Sequence, residues 1–121
     1  MGRTIAVDFD GVIHSYTTPW TGPLTIPDAP VAGAFAWLRD AIDSGLSIVI
    51  FSTRCDAPEN IVAMKKWFEI HAFEQRYLDK LVFANTKPTF GSLFIDDRGF
   101  CFMGAFPSIQ FCKQFKPWNR K

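Results

Sequence analysis

The stretch Thr4-Ile5-Ala6-Val7-Asp8-Phe9-Asp10-Gly11 decides how the rest of the chain is read. Its apolar half shows little alternation and runs straight into polar residues, as a strand buried on both faces of a parallel sheet does. Leu46-Ser47-Ile48-Val49-Ile50-Phe51 and Ser92-Leu93-Phe94-Ile95 end in the same abrupt way, and Leu81-Val82-Phe83-Ala84 is a fourth short run. All four are too short, and too rich in β-branched or aromatic residues, to be helices.

Between the first two strands, Ala34, Phe35, Leu38, Ala41 and Ile42 recur at helical spacing, and Gly45 is placed to end that helix in the left-handed conformation. Between the second and third, Pro58 suits a first helical turn, and Ile61, Met64, Phe68 and Ala72 form one apolar stripe. Strand, helix, strand, helix, strand is the grammar of an α/β fold. The expected class is therefore α/β: a three-layer, Rossmann-like, mainly parallel sheet. Phe100-Cys101-Phe102 is expected as a small edge strand, and Phe106, Ile109, Cys112 and Phe115 line a last helix started by Pro107. Residues 15–32 break the grammar, because Pro19, Gly22, Pro23, Pro27 and Pro30 exclude a continuous helix. This longest connection is expected as an extended loop or irregular hairpin, a flap near the site.

With 121 residues and 48% hydrophobic content, the chain can bury one core, so residues 1–121 are expected as a single domain. A net charge of +1 provides no field to recruit nucleic acid or an anionic membrane. The apolar run at the N-terminus is too brief for a signal peptide or a membrane span, and a cytoplasmic protein is expected. Cys55, Cys101 and Cys112 form neither an even set nor a paired metal-ligand spacing, which suits reduced, structural thiols.

Ligands of open α/β sheets bind beyond the carboxyl ends of the strands. The residues found there are Asp8-Phe9-Asp10-Gly11, Ser52-Thr53-Arg54, Lys87 and Asp96-Asp97-Arg98. Four carboxylates on one edge repel one another unless a cation sits among them. All-oxygen donors favour Mg²⁺, and neither His14 nor His71 has a partner at zinc-like spacing. A carboxylate attacks phosphorus once positive charge offsets the approach of two anions. Of Asp8 and Asp10, one attacks while the other protonates the leaving oxygen and then activates water. Ser52 and the backbone N–H groups that follow it, beginning with Thr53, can bind phosphoryl oxygens, and Lys87 can stabilise charge on the transferred group.

Asp8-Phe9-Asp10-Gly11-Val12 resembles the first motif of the haloacid dehalogenase-like (HAD) superfamily. Ser52 resembles the second motif, Lys87 the third and Asp96-Asp97 the fourth, in the family's order, over residues 4 to about 98. The resemblance implies an Mg²⁺-dependent phosphatase of HAD-like fold in which Asp8 forms an aspartyl-phosphate and Asp10 is the general acid/base. It also implies that Ser52 and Lys87, with Gly11 and Thr53, hold the phosphoryl group. The implied metal ligands are Asp8, the Asp10 carbonyl, Asp96 and Asp97. The chain looks most like small, capless members found in bacteria and phages, because neither interval that carries a cap in this family has room for one. An open site suits a nucleotide or a nucleic-acid terminal phosphate.

Other residues allow two readings. Arg54 and Arg98 either contact phosphate or brace carboxylates, with bracing preferred. Tyr16 and Trp20 either stack a base or pack the loop down. Ser52 is also a residue type common at helix caps. Cys55 lacks the Arg at position 61 that a Cys-x5-Arg phosphate loop requires, since that position is Ile61. The basic, aromatic tail Phe115-Lys116-Pro117-Trp118-Asn119-Arg120-Lys121 reads as a solvated or edge-covering terminus. A phosphotransferase remains an alternative activity. A phospho-accepting receiver module is disfavoured by motif order, because Lys87 precedes Asp96-Asp97.

Overall fold

A computed structural model describes residues 3–86, 92–96, 100–101 and 106–114, with the backbone alone for Ser92, Phe94, Asp96, Phe100 and Cys101. Five strands, β1 (Thr4–Asp8), β2 (Ser47–Phe51), β3 (Leu81–Ala84), β4 (Ser92–Asp96) and β5 (Phe100–Cys101), form one sheet in the order β3-β2-β1-β4-β5. Every pairing is parallel. The chain is thus an α/β protein, and β1 lies at the centre of the sheet. Ile5, Val7, Ile48, Ile50, Leu93 and Ile95, which share one face by register, are essentially removed from solvent, and on the other face Ala6 is buried but Val49 only half-buried, so the expected burial on both faces is complete at β1 and partial at β2.

Among the described residues four α-helices accompany the sheet: α1 (Ala34–Asp43), α2 (Pro58–Ile70), α3 (Gln75–Leu78) and α4 (Ile109–Gln114). The crossovers through α1 and α2 step in the same direction, from β1 to β2 to β3, so the right-handed rule puts both helices on one face. Side-chain contacts agree: the rings of Phe35 and Phe68 stack at 5.4 Å, and Tyr77 donates its hydroxyl to Asp43 Oδ2 at 2.8 Å. On the other flank of α1, Trp37 Nε1 donates to the Pro107 carbonyl at 2.8 Å, which brings α4 into the same layer. The second helical layer expected of a three-layer fold contains no described residues, and Val82 on the opposite face of β3 is 57% exposed.

Local sequence signals explain most boundaries. Gly45 has φ +89° and closes α1 by donating its N–H to Ile42 O, and Pro58 opens α2. The stripe on α2 is wider than expected, since Trp67 is buried beside Met64 and Phe68. Ala72 stands outside that helix at φ +66°, where the chain turns so that the Phe73 N–H reaches Phe68 O. The short α3 had no periodic signal of its own. The last helix begins at Ile109, not Pro107, because the Ser108 hydroxyl accepts the Phe111 N–H and caps it.

Four of the phenylalanines gather with Trp67 between α1, α2 and the sheet. Phe9, Phe35, Trp67, Phe68 and Phe73 meet in edge-on, tilted and stacked pairs with centroids 4.8–6.1 Å apart. No described helix is long and apolar enough to cross a membrane.

Candidate functional site

The central position of β1 organises the site. Asp8 is its last residue and pairs with Phe51, so Ser52 lies one step beyond on one side. On the other side the register ends at Val7 with Ile95, and continuing it by one residue sets Asp8 beside Asp96. Neighbouring strands lie about 4.8 Å apart, so two carboxylate-bearing positions adjoin at the carboxyl edge. β1 is also where the strand order reverses, because the chain moves from it to β2 on one side and later enters β4 on the other. Crevices at such switch points are where α/β sheets bind ligands.

Beyond Asp8 the strand ends and the chain bends at Phe9. Phe9 is 0% exposed and joins the aromatic core, while Asp8 and Asp10 remain partly exposed on either side of it. The Phe9 N–H donates to Asp8 Oδ1 at 2.8 Å, which fixes the carboxylate against its own backbone. Gly11 then turns the chain at φ +86°, a conformation costly for any residue with a Cβ. Its N–H donates to His14 O at 2.7 Å, and the N–H groups of Ile13 and His14 both converge on Phe9 O.

Asp10 is held from three directions. Arg54 Nε donates to its Oδ2 at 2.9 Å, Arg54 Nη2 to its Oδ1 at 3.1 Å, and His14 Nδ1 lies 2.8 Å from Oδ1. Arg54 is 1% exposed, and its remaining nitrogen donates to the carbonyls of Pro23 and Thr25 in the flap at 2.9 and 3.2 Å. The preferred bracing role of Arg54 is therefore the observed one. Its guanidinium also lies 4.6 Å from the ring centroid of Trp20.

Ser52 is buried and extended, with φ −166°. Its N–H donates to Ala84 O at 3.0 Å, and its Oγ accepts the Arg54 N–H at 3.1 Å, capping the 3₁₀ turn Thr53–Asp56. A hydroxyl that accepts still has a proton to give, so capping leaves Ser52 able to donate to a phosphoryl oxygen. Thr53 and Gly11 are exposed at the same edge.

The flap is an irregular hairpin, as one of the two expectations had it. Its neck is pinned where Ser15 N–H meets Ala29 O and Val31 N–H meets Ile13 O. Asp28 accepts from the Thr18 N–H and hydroxyl at 2.9 and 2.6 Å, and Trp67 Nε1 donates to Asp28 O at 2.9 Å. The Asp28 carboxyl is lowered from 3.8 to about 2, first by the Thr18 hydroxyl, against partial desolvation, with help from the Thr18 N–H and the Thr17 hydroxyl. Tyr16 and Trp20 remain 40% and 50% exposed. Residues 9–33 contain only the Gly11 turn and this flap, and residues 52–80 contain the 3₁₀ turn, α2 and α3.

Lys87, Asp97, Arg98 and the tail 115–121 lie outside the described residues, and Asp96 is placed by its backbone alone. Among the described residues, no three His, Cys, Asp or Glu side chains form a metal-holding group. The test of fit for Mg²⁺ is therefore the donor set around β1. The backbone register sets the Asp96 position beside Asp8, and aspartate is the hard-oxygen residue type that suits Mg²⁺. Cys55 is buried against Met64, with Sγ 3.8 Å from its sulfur, and burial followed by the Asp56 charge pushes its thiol up, away from nucleophilic use.

Two residues of this site escaped sequence reasoning. The sequence marks His14 only as a histidine without a zinc-like partner, although its place four residues after Asp10 is visible there. Asp28 carried no signal, because its role comes from the closure of the hairpin. No family model, curated protein or solved structure matches this chain.

Proposed function

We propose that this protein is an Mg²⁺-dependent phosphomonoester hydrolase of HAD-like fold that works through an aspartyl-phosphate on Asp8. The observation that carries the reading is the place of Asp8 at the end of the central strand, with the Asp96 position on one side and Ser52 on the other. Asp8, the Asp10 carbonyl, Asp96 and Asp97 would hold Mg²⁺, which when bound offsets the negative charge of the phosphoryl group and of Asp8.

An Asp8 carboxylate oxygen forms a bond to phosphorus as the bond from phosphorus to the leaving oxygen breaks. Asp10 gives that oxygen its proton, then takes one from the water that attacks phosphorus and frees Asp8. Ser52, the Thr53 N–H and Lys87 stabilise the equatorial oxygens, and Gly11 lets the backbone approach them closely. The favoured substrates are nucleotides or nucleic-acid terminal phosphates, supported by the half-exposed rings of Tyr16 and Trp20 beside the open edge.

The test is release of inorganic phosphate from an aryl phosphate with and without Mg²⁺, in the natural protein and in Asp8→Asn. Asp8→Asn is expected to lose release by a factor on the order of 10⁴. Equal release by both proteins removes the nucleophile. Stable phosphorylation without release identifies a phospho-acceptor module instead.

A further inference from the structure

The flap and the Asp10 carboxylate meet in a single side chain. His14 is 0% exposed, with Nδ1 at 2.8 Å from Asp10 Oδ1 and Nε2 at 3.1 Å from the backbone nitrogen of Asp28. A backbone N–H can only donate, so Nε2 is the acceptor and the ring proton sits on Nδ1, directed at Asp10. The Asp28 carboxylate comes no nearer to Nε2 than 3.5 Å, which leaves the backbone N–H as its hydrogen-bond partner. The ring cannot readily turn, since it stacks on Phe9 at 5.6 Å and meets the edges of Trp67 and Tyr16 at 5.7 and 6.0 Å.

The consequence lies in the division of labour between the two oxygens of Asp10. Oδ1 takes His14 Nδ1 and Arg54 Nη2, whereas Oδ2 takes Arg54 Nε alone among the described residues. Two donors fill the lone pairs of Oδ1, so Oδ2 is the oxygen with room to exchange a proton. That division depends on the flap, because Asp28 fixes the tautomer of His14 while Pro23 and Thr25 hold Arg54. An undocked flap frees His14 to carry its proton on Nε2, and Oδ1 then loses a donor.

We infer that His14 is a positioning residue for Asp10, coupling the docked flap to the orientation of the carboxylate that transfers the proton. The inference rests on the proposed phosphatase reading. It goes beyond that reading by making proton transfer, and not phosphate binding, the step that senses the flap.

The test compares His14→Asn, whose amide nitrogen can stand near Nδ1, with His14→Gln, whose amide reaches the Nε2 end. Both are assayed in the full chain on an alkyl phosphate and on an aryl phosphate with an acidic phenol, and kcat/KM is read because it reports transfer to Asp8. An alkoxide needs the proton and an acidic phenolate does not. His14→Gln is expected to lower kcat/KM for the alkyl phosphate by about 10- to 100-fold while changing the aryl phosphate little, and His14→Asn to recover most of the loss. An equal fall on both substrates, or no difference between Asn and Gln, overturns the positioning role. Should both variants fail to fold, ¹⁵N NMR of the natural protein decides: an Nδ1–H tautomer of His14 supports the inference and an Nε2–H tautomer overturns it. Asp8→Asn is assayed in parallel. Full release by Asp8→Asn removes the underlying phosphatase reading, whereas an inactive Asp8→Asn with no leaving-group effect at His14 removes the positioning role alone.

Discussion

At the residue scale, Asp28 shows how a loop carboxylate becomes structural. The Thr18 hydroxyl and N–H both donate to it, so its ionised form is favoured in the folded chain and its carboxyl is lowered from 3.8 to about 2. The sign follows from linkage: a depressed folded value contributes stability at pH above 3.8 that is lost as pH falls towards 2. Thr18→Val removes the hydroxyl, the largest cause of the shift. Carboxyl-carbon NMR titration of that variant is expected to place Asp28 closer to 3.8, with the acid loosening of the flap beginning at correspondingly higher pH. An unchanged Asp28 titration in Thr18→Val contradicts this account.

At the scale of elements, the flap has no helix or strand of its own and borrows its order from two side chains beneath it. Arg54, in the 3₁₀ turn after β2, and Trp67, on α2, reach its carbonyls at Pro23, Thr25 and Asp28. Arg54 serves Asp10 and the flap through one planar fork, a geometry that lysine cannot reproduce. Arg54→Lys keeps the charge but leaves some of these acceptors without a donor. A loss of about 1–3 kcal/mol in denaturant unfolding is expected, with faster proteolytic cleavage within residues 15–32. Cleavage at the natural rate would show that the flap is held by its neck alone.

At the scale of the whole molecule, the aromatic residues join the helical layer to the sheet and to the site. Phe68 touches Phe9 just beyond β1, Phe35 on α1, Trp67 on α2, Phe73 before α3 and Phe83 on β3. Its removal therefore weakens several elements together. Phe68→Ala is expected to cost about 3–5 kcal/mol by urea denaturation, with fluorescence and circular dichroism changing in one coincident transition. Separate transitions would show that the site edge and the helical layer unfold independently.

Strand identity, the parallel arrangement, the end of α1 and the start of α2 were legible in the sequence, because they depend on short-range rules. Unbroken apolar runs report burial on both faces, Gly45 reports a left-handed residue, and Pro58 reports a first turn. The candidate site was half legible for the same reason. Asp8, Asp10, Ser52 and Asp96 all lie at or just beyond the ends of runs that could be read locally. Arg54 was legible as a brace, but which carboxylate it holds and what else holds that carboxylate were not, since Asp10 is 44 residues from Arg54, the flap carbonyl of Pro23 is 31 from Arg54, and Asp28 is 14 from His14. No periodicity encodes such pairs. The chain's own order determines which residues arrive at the carboxyl edge, and closure of the hairpin over Arg54 and His14 decides which nitrogen each oxygen of Asp10 receives.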